Sequence, residues 1–186
     1  MELNSIMEEC GAILRGHFQL TSGRHSEIYL EKFRLLENPE IVDKIGKEIA
    51  REIKGIEVDV VLGAAIGGIL ISHAAAKALR VKSIFAERVD GELKLRRGFK
   101  LNPEEKVLVV EDIVTTGKSS LECFECIKKS GGEVVAEAAL INRGGDVDLG
   151  VPLICLASIN IPNYEANSLP KELEEIEAIK PGSRSI

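Results

Sequence analysis

The chain has 186 residues, 45% of them hydrophobic, the size of one domain able to bury a substantial core. It has no run of 18 apolar residues, and its opening MELNSIMEECG carries acids where a secretory leader carries basic residues, so neither a membrane span nor a signal peptide is expected and the chain reads as cytoplasmic. A net charge of −6 and a pI near 5.3 lack the electrostatic footprint of a nucleic-acid binder, so neither nucleic acid nor membrane is expected as a partner.

Leu3, Ile6, Met7, Cys10, Ile13 and Leu14 recur at helical spacing and stop before Gly16, predicting an amphipathic opening helix. HFQL and EIYLEKF then read as two short strands around the turn TSGRHS. Asn38 and Pro39 form a cap and first-turn pair, and Ile41, Val42, Ile45, Ile49 and Ile53 keep one face of a second helix apolar as far as Gly55. From Val58 onward the units alternate. VDVVLGA is a strand, GGILISHAAAKAL a helix, KSIFAE and KVLVVED strands, GKSSLECFECIKKS a helix, and EVVAEAALINR and VPLICLASI strands. Unbroken Val/Ile/Leu runs mark strands covered on both faces, as in parallel sheets with crossover helices. The expected fold is α/β, a doubly wound, mainly parallel sheet with flanking helices. It forms a single domain over 1–186, with an N-terminal helix and hood segment over 1–37, a core sheet over 56–160 and a peripheral tail over 161–186. Cys10, Cys123, Cys126 and Cys155 are scattered, and the one close pair lies mid-helix without a second pair, which reads as thiols rather than a zinc site.

In such a sheet, ligands bind beyond the carboxyl ends of the strands, where loops lead into helix N-termini. The stretch VLVVEDIVTTGKSS (107–120) puts Glu111 and Asp112 at a strand end, and Thr115 to Ser119 would open the next helix. That turn offers a phosphate free N–H groups, the positive end of the helix dipole, hydroxyls and a lysine. It is not a nucleotide-triphosphate P-loop, because the alignment on Gly117-Lys118-Ser119 places Asp112 where the first glycine must stand, and no G-x-G-x-x-G is present. Two acids beside a phosphate cradle suit a sugar phosphate, whose vicinal hydroxyls donate to carboxylates.

The same stretch resembles the phosphoribosyl-diphosphate motif of type I phosphoribosyltransferases, a hydrophobic run followed by two acids and a Thr-rich turn. GHFQLTSGRHSEIYLEKF resembles the N-terminal segment of orotate phosphoribosyltransferases, with Phe18, Leu20, Ser22, Gly23 and Ser26 fitting F-x-L-x-S-G-x-x-S. INRGG resembles the segment in which an arginine grips orotate, here Arg143, and LGAAIGG is the diphosphate-loop counterpart. The resemblance spans about residues 11–146, with a looser match beyond.

It implies a small N-terminal base-binding hood and transfer of a phosphoribosyl group from phosphoribosyl diphosphate to orotate, in UMP biosynthesis. It also implies Mg2+ delivered mainly with the substrate, with no protein metal ligand, and a homodimer. The implied phosphoribosyl-diphosphate contacts are Arg88, Glu111, Asp112, Ile113, Val114, Thr115, Thr116, Gly117, Lys118 and Ser119, with Ala65, Gly67 and Gly68 of the diphosphate loop. Thr115, Arg143, Tyr29, Ser22 and Gly23 are implied to hold orotate, and Glu111, Asp112 and Arg88 to act in catalysis, with Lys94 added as a catalytic candidate from its place on a charged hairpin. A planar guanidinium can grip the orotate carboxylate bidentately. On residues alone, Arg143 reads more readily as a solvated arginine in a Gly-rich turn, and Tyr29 at least as readily as a half-buried strand aromatic.

Three departures stand out. Thr21 and Gly67 occupy positions where many relatives of this type carry a basic residue and a lysine, and ERVDGELKLRRGFK replaces an Arg-Lys-x-x-Lys-x-His-Gly run, with only Arg88 matching. In that segment Val89-Asp90-Gly91-Glu92 predicts a type I′ hairpin, leaving Lys94, Arg96 and Arg97 either on a charged flap over the diphosphate or on ordinary surface. The alternatives to orotate transfer are another base, such as a purine, and a non-catalytic sensor of phosphoribosyl diphosphate.

Overall fold

The structure, a computed structural model, describes residues 2–20 and 22–181; Thr21 lies outside them. Helix α1 (Leu3–Glu9) ends earlier than its apolar spacing predicts. Gly11 takes φ 68°, the Ala12 N–H closes on Met7 O at 2.8 Å, and Ile13 and Leu14 enter strand β1 (Ile13–Gln19) instead. β1 pairs antiparallel with β2 (His25–Leu30) as a separate two-stranded hood. A one-turn helix α2 (Phe33–Leu36), too short to show periodicity, leads to α3 (Pro39–Glu52), where the Asn38 side chain accepts from the Glu40 and Ile41 N–H groups as its composition predicts.

The alternating units follow as β3 (Val60–Ala64), α4 (Gly67–Leu79), β4 (Lys82–Val89), β5 (Glu92–Leu95), β6 (Lys106–Val114), α5 (Lys118–Lys129), β7 (Glu133–Asn142) and β8 (Leu153–Ser158), with a one-turn α6 (Lys171–Glu174) in the tail. The sheet order is β5-β4-β3-β6-β7-β8, parallel except for the β4–β5 hairpin. Val61, Leu108, Val110, Ala138 and Leu140 face Ile45, Ile49 and Ile71 of α3 and α4. Val60, Leu62, Val107 and Val109 face Cys123, Cys126 and Ile127 of α5. Each fully buried aliphatic side chain contributes about 1.5–3 kcal/mol, so both faces hold the sheet. The order reverses between β3 and β6, and the crevice opens where those two strands end.

The tail is tied in rather than loose. His25 bridges Tyr164, Phe18 bridges Ile179, and Ile161 and Leu173 are buried. The buried His17 donates from Nδ1 to Ile176 O at 2.7 Å, while its Nε2 lies 2.6 Å from His25 Nδ1. The four cysteines are free, with Cys123 and Cys126 buried on α5. Among the described residues no helix is long and apolar enough to cross a membrane.

Candidate active site

Strand pairing on β6 runs past the acid pair to Val114, so Glu111 and Asp112 lie inside the strand rather than at its end. Neighbouring strand residues point to opposite faces. Asp112 therefore turns with Leu108 and Val110 toward α4, and Glu111 with Val107 and Val109 toward α5. The Asp112 carboxylate accepts from the Ile113 N–H at 2.7 Å, pairs with the Lys32 ammonium, and lies so close to Gly67 that a Cβ there would stand 1.6 Å from its Oδ2. Gly67 thus makes room for the carboxylate.

On the other face Glu111 meets a dry environment. Its neighbour Glu137 is completely buried, accepts from the Ser120 hydroxyl at 2.7 Å, and leaves its second carboxyl oxygen without a hydrogen-bond partner. Burial, then the charges of Asp112 and Glu137, push Glu111 up to about 8; burial pushes Glu137 up to about 7, opposed by the Ser120 hydrogen bond. The two acids of the motif differ in kind: Asp112 is ion-paired, whereas Glu111 is mostly a neutral carboxyl at pH 7.

A turn follows β6 where the sequence places it, and the helix after it starts later than expected. α5 begins at Lys118, and Gly117 precedes it with φ 73°. Glu111, Ile113 and the run Val114 to Ser120, including Thr115, Thr116, Gly117, Lys118 and Ser119, line a hollow of about 110 Å³. The INRGG loop braces it. The Arg143 N–H donates to Val114 O at 2.8 Å, and a Cβ on Gly144 would sit 1.6 Å from Thr115 O. A second hollow of about 170 Å³ is lined by Lys32, Ala64–Gly67, Arg88, Leu93, Glu111, Asp112 and Ser119. The two hollows share Glu111 and Ser119 as a common wall. Gly68 is buried behind the second, its α-carbon packed so that a Cβ would meet Val110 O at 2.6 Å.

Tyr29 and Arg143 line neither hollow, but the Tyr29 phenol lies within electrostatic reach of Arg143, Lys32 and Asp112. The Tyr29 phenol is pushed up by burial and by Glu31, pulled down by Lys32 and Arg143, and pushed up by Asp112. Half-burial holds the Arg143 guanidinium below its ordinary value. Ser22 and Gly23 are not brought in. They are exposed at the hood tip, where the Gly23 N–H donates to Leu20 O at 2.9 Å, and neither lines the two hollows.

The hairpin forms as predicted, with Asp90 at φ 53° and Gly91 at φ 86° between the pairs Arg88–Leu93 and Val89–Glu92. Arg88 reaches the second hollow, its guanidinium bonded to Glu122 and the Gly91 carbonyl. Lys94 does not: it lies 3.4 Å from Glu92 in a groove between the hairpin and α5 that also takes in Thr116 and Lys118. Arg96 and Arg97 both pair with Glu87, at 3.6 and 2.9 Å. Lys32 and Glu137 were not foreseen. The first is one charge after a strand, and the second sits in a run otherwise fit for a core strand, so only the acid in EVVAEAALIN offered a signal.

No family model matches the chain. Curated relatives do. The orotate phosphoribosyltransferase of Sphingopyxis alaskensis is 50% identical over 181 residues, 94% of this chain and 92% of that protein. That of Thermotoga maritima is 45% identical over 185 residues, covering 99% of each. Among solved structures, orotate phosphoribosyltransferase from Aeropyrum pernix superposes with a TM-score of 0.69 at 26% identity, over 84% of this chain and 93% of that one. The Mycobacterium tuberculosis enzyme, at a TM-score of 0.72 and 22% identity over 85% and 95%, shares the fold. Near-full-length identity of this order makes the chain a member of the orotate phosphoribosyltransferase family.

Proposed function

We propose a division of labour among these residues for the orotate phosphoribosyltransferase reaction that family membership gives this chain. The observation that carries it is the pair of adjoining hollows with a shared wall of Glu111 and Ser119, which suits a ligand with an anion at each end and a sugar between them. The 5′-phosphate sits in the Thr115–Ser119 turn, held by backbone N–H groups at the start of α5, the hydroxyls and Lys118. The diphosphate occupies the second hollow against Ala65, Gly67, Gly68 and Arg88.

A ring nitrogen of orotate attacks the anomeric carbon, forming the C–N bond as the C–O bond to diphosphate breaks. No enzyme nucleophile takes part. Positive charge develops on the ribose, and the Asp112 carboxylate stabilises it while accepting from a ribose hydroxyl. Glu111, neutral in its dry pocket, donates to the sugar instead. Arg143 grips the orotate carboxylate, Thr115 and Tyr29 flank the base, and the hood tip with Ser22 and Gly23 folds in over it. Lys94 acts from the hairpin when that closes and excludes water.

The cleft offers two adjacent carboxyls, and Mg2+ is commonly held by one or two carboxylates with waters and substrate phosphates. The donor set therefore fits an ion delivered with the diphosphate and held mainly by its oxygens and water. When bound, it neutralises charge on the leaving group. We also propose a cytoplasmic homodimer, which light scattering after size exclusion checks.

The deciding experiment follows orotate loss by absorbance with phosphoribosyl diphosphate and Mg2+, beside uracil, adenine, guanine and hypoxanthine. Orotate alone should turn over. Turnover of a purine but not orotate would overturn the base assignment.

A further inference from the structure

On the reading above, on which this inference rests, the second hollow receives a polyanion, yet two acids line it. Its diphosphate-loop wall, Ala64, Ala65, Ile66 and Gly67, carries no charge, and Gly67 cannot gain a side chain without colliding with Asp112. Cations must come from other elements. Among the described lining residues they are Arg88 and Lys32. Arg88 is committed to Glu122 and to the Gly91 carbonyl. Lys32 stands just beyond β2, at the entry to α2, with its ammonium paired with Asp112 and 5.6 Å from the centre of the Phe33 ring.

We propose that Lys32 is a diphosphate-binding residue that exchanges partners: it neutralises Asp112 in the empty cleft and moves to the diphosphate oxygens when the ribose hydroxyls engage Asp112. The chemistry favours the exchange. An ammonium is a compact charge with three rotatable donors on a flexible stem, so it can turn from a carboxylate to a neighbouring phosphate without rebuilding a planar contact. Its side chain is 30% exposed against 10% for Asp112, so solvent reaches the lysine end of the pair and can hydrate the ammonium as it turns. Asp112 would otherwise repel the incoming diphosphate; covered by Lys32, it does not. One lysine thereby makes the same carboxylate compatible first with an approaching polyanion and then with a sugar whose charge is turning positive.

The test uses the full chain and the variants Lys32→Met and Lys32→Arg. Calorimetry with inorganic diphosphate and Mg2+ reads the site without any base, and steady-state kinetics read KM for each substrate separately. Lys32→Met should weaken diphosphate binding about tenfold or more and raise KM for phosphoribosyl diphosphate to match, leaving KM for orotate unchanged, and Lys32→Arg should recover most of the loss. Unchanged diphosphate affinity in Lys32→Met overturns the proposal, as does a rise confined to the orotate KM. Should the variants fail to fold, reductive methylation of the wild-type protein decides: diphosphate should shield Lys32 from modification, and equal labelling with and without it overturns the assignment. Diphosphate binding through Lys32 without turnover of orotate would leave this inference standing and sink the base assignment.

Discussion

On the α4 side of β6, Asp112 faces a lysine, a glycine turn and an open cleft. On the α5 side, one residue earlier, Glu111 is largely buried beside Glu137 and Ser120, and no ion pair joins it to a cation among the described residues. The same functional group is thus ion-paired with a lysine on one side of a strand and pushed up to about 8 by burial on the other. Adjacency in sequence becomes opposition in space because a strand alternates its side chains, and environment then decides protonation.

The largest effect should come from the turn both sides share. Gly117→Val places a β-branched residue at φ 73°, with its Cβ 2.6 Å from Leu149 Cδ2. The turn must reshape, and calorimetry should detect no binding of phosphoribosyl diphosphate while circular dichroism stays native; retained affinity would show that the cradle lies elsewhere. The acids themselves come next. Asp112→Asn should lower kcat by on the order of 10²-fold, more than it weakens binding, as expected for a lost electrostatic stabiliser. Glu111→Gln should cost under about tenfold at pH 7, since it replaces one neutral donor by another. Equal losses in the two variants would erase the difference between the sides.

The hairpin gives a smaller effect. Of the single alanine variants of Lys94, Arg96 and Arg97, at least one should lose about tenfold in kcat/KM, some 1.4 kcal/mol. Melting temperatures should barely change, because exposed ion pairs such as Arg97–Glu87 contribute about 0–1 kcal/mol. Near-wild-type turnover in all three would make these residues ordinary surface and leave Arg88 as the hairpin's charged contact with the cleft.

The smallest effect is on stability against pH. Glu137 and Glu111 are raised to about 7 and about 8, so between pH 4.5 and those values the unfolded chain has released protons that the folded chain keeps. Their contribution is fully present below pH 4.5 and is lost as pH rises to about 8. Glu137→Gln should therefore flatten the decline of melting temperature from pH 5 to 8, by a few degrees relative to wild type. An unchanged slope would show that burial of this acid does not drive the decline.

What could be read from sequence was what rests on local pattern. The acid pair and Thr-rich turn, the Asp-Gly hairpin and the capped α3 each declare themselves within a few residues. What escaped depends on partners far along the chain. Ile13 and Leu14 fit a helical stripe, yet pairing with Leu30 and Tyr29 takes them into a strand. Lys32 becomes a site residue only because it meets Asp112, eighty positions on. Glu137 is unusual only once its burial is known. Lys94, by contrast, was chosen for its place in a basic run, and a run does not say which way one side chain points.

The strap of tail across the hood bears on the order in which the enzyme is made. A lone two-stranded ribbon is marginal in water, and β1–β2 is steadied by Tyr164, Ile176 and Ile179, about 140 to 160 positions downstream of the residues they touch. Such distant closures form late and slowly. During synthesis the crevice proposed to bind phosphate can assemble as soon as β7 and β8 leave the ribosome, whereas the hood proposed to cover the base waits for the strap. A nascent chain would then gain affinity for phosphoribosyl diphosphate before it gains any preference for orotate.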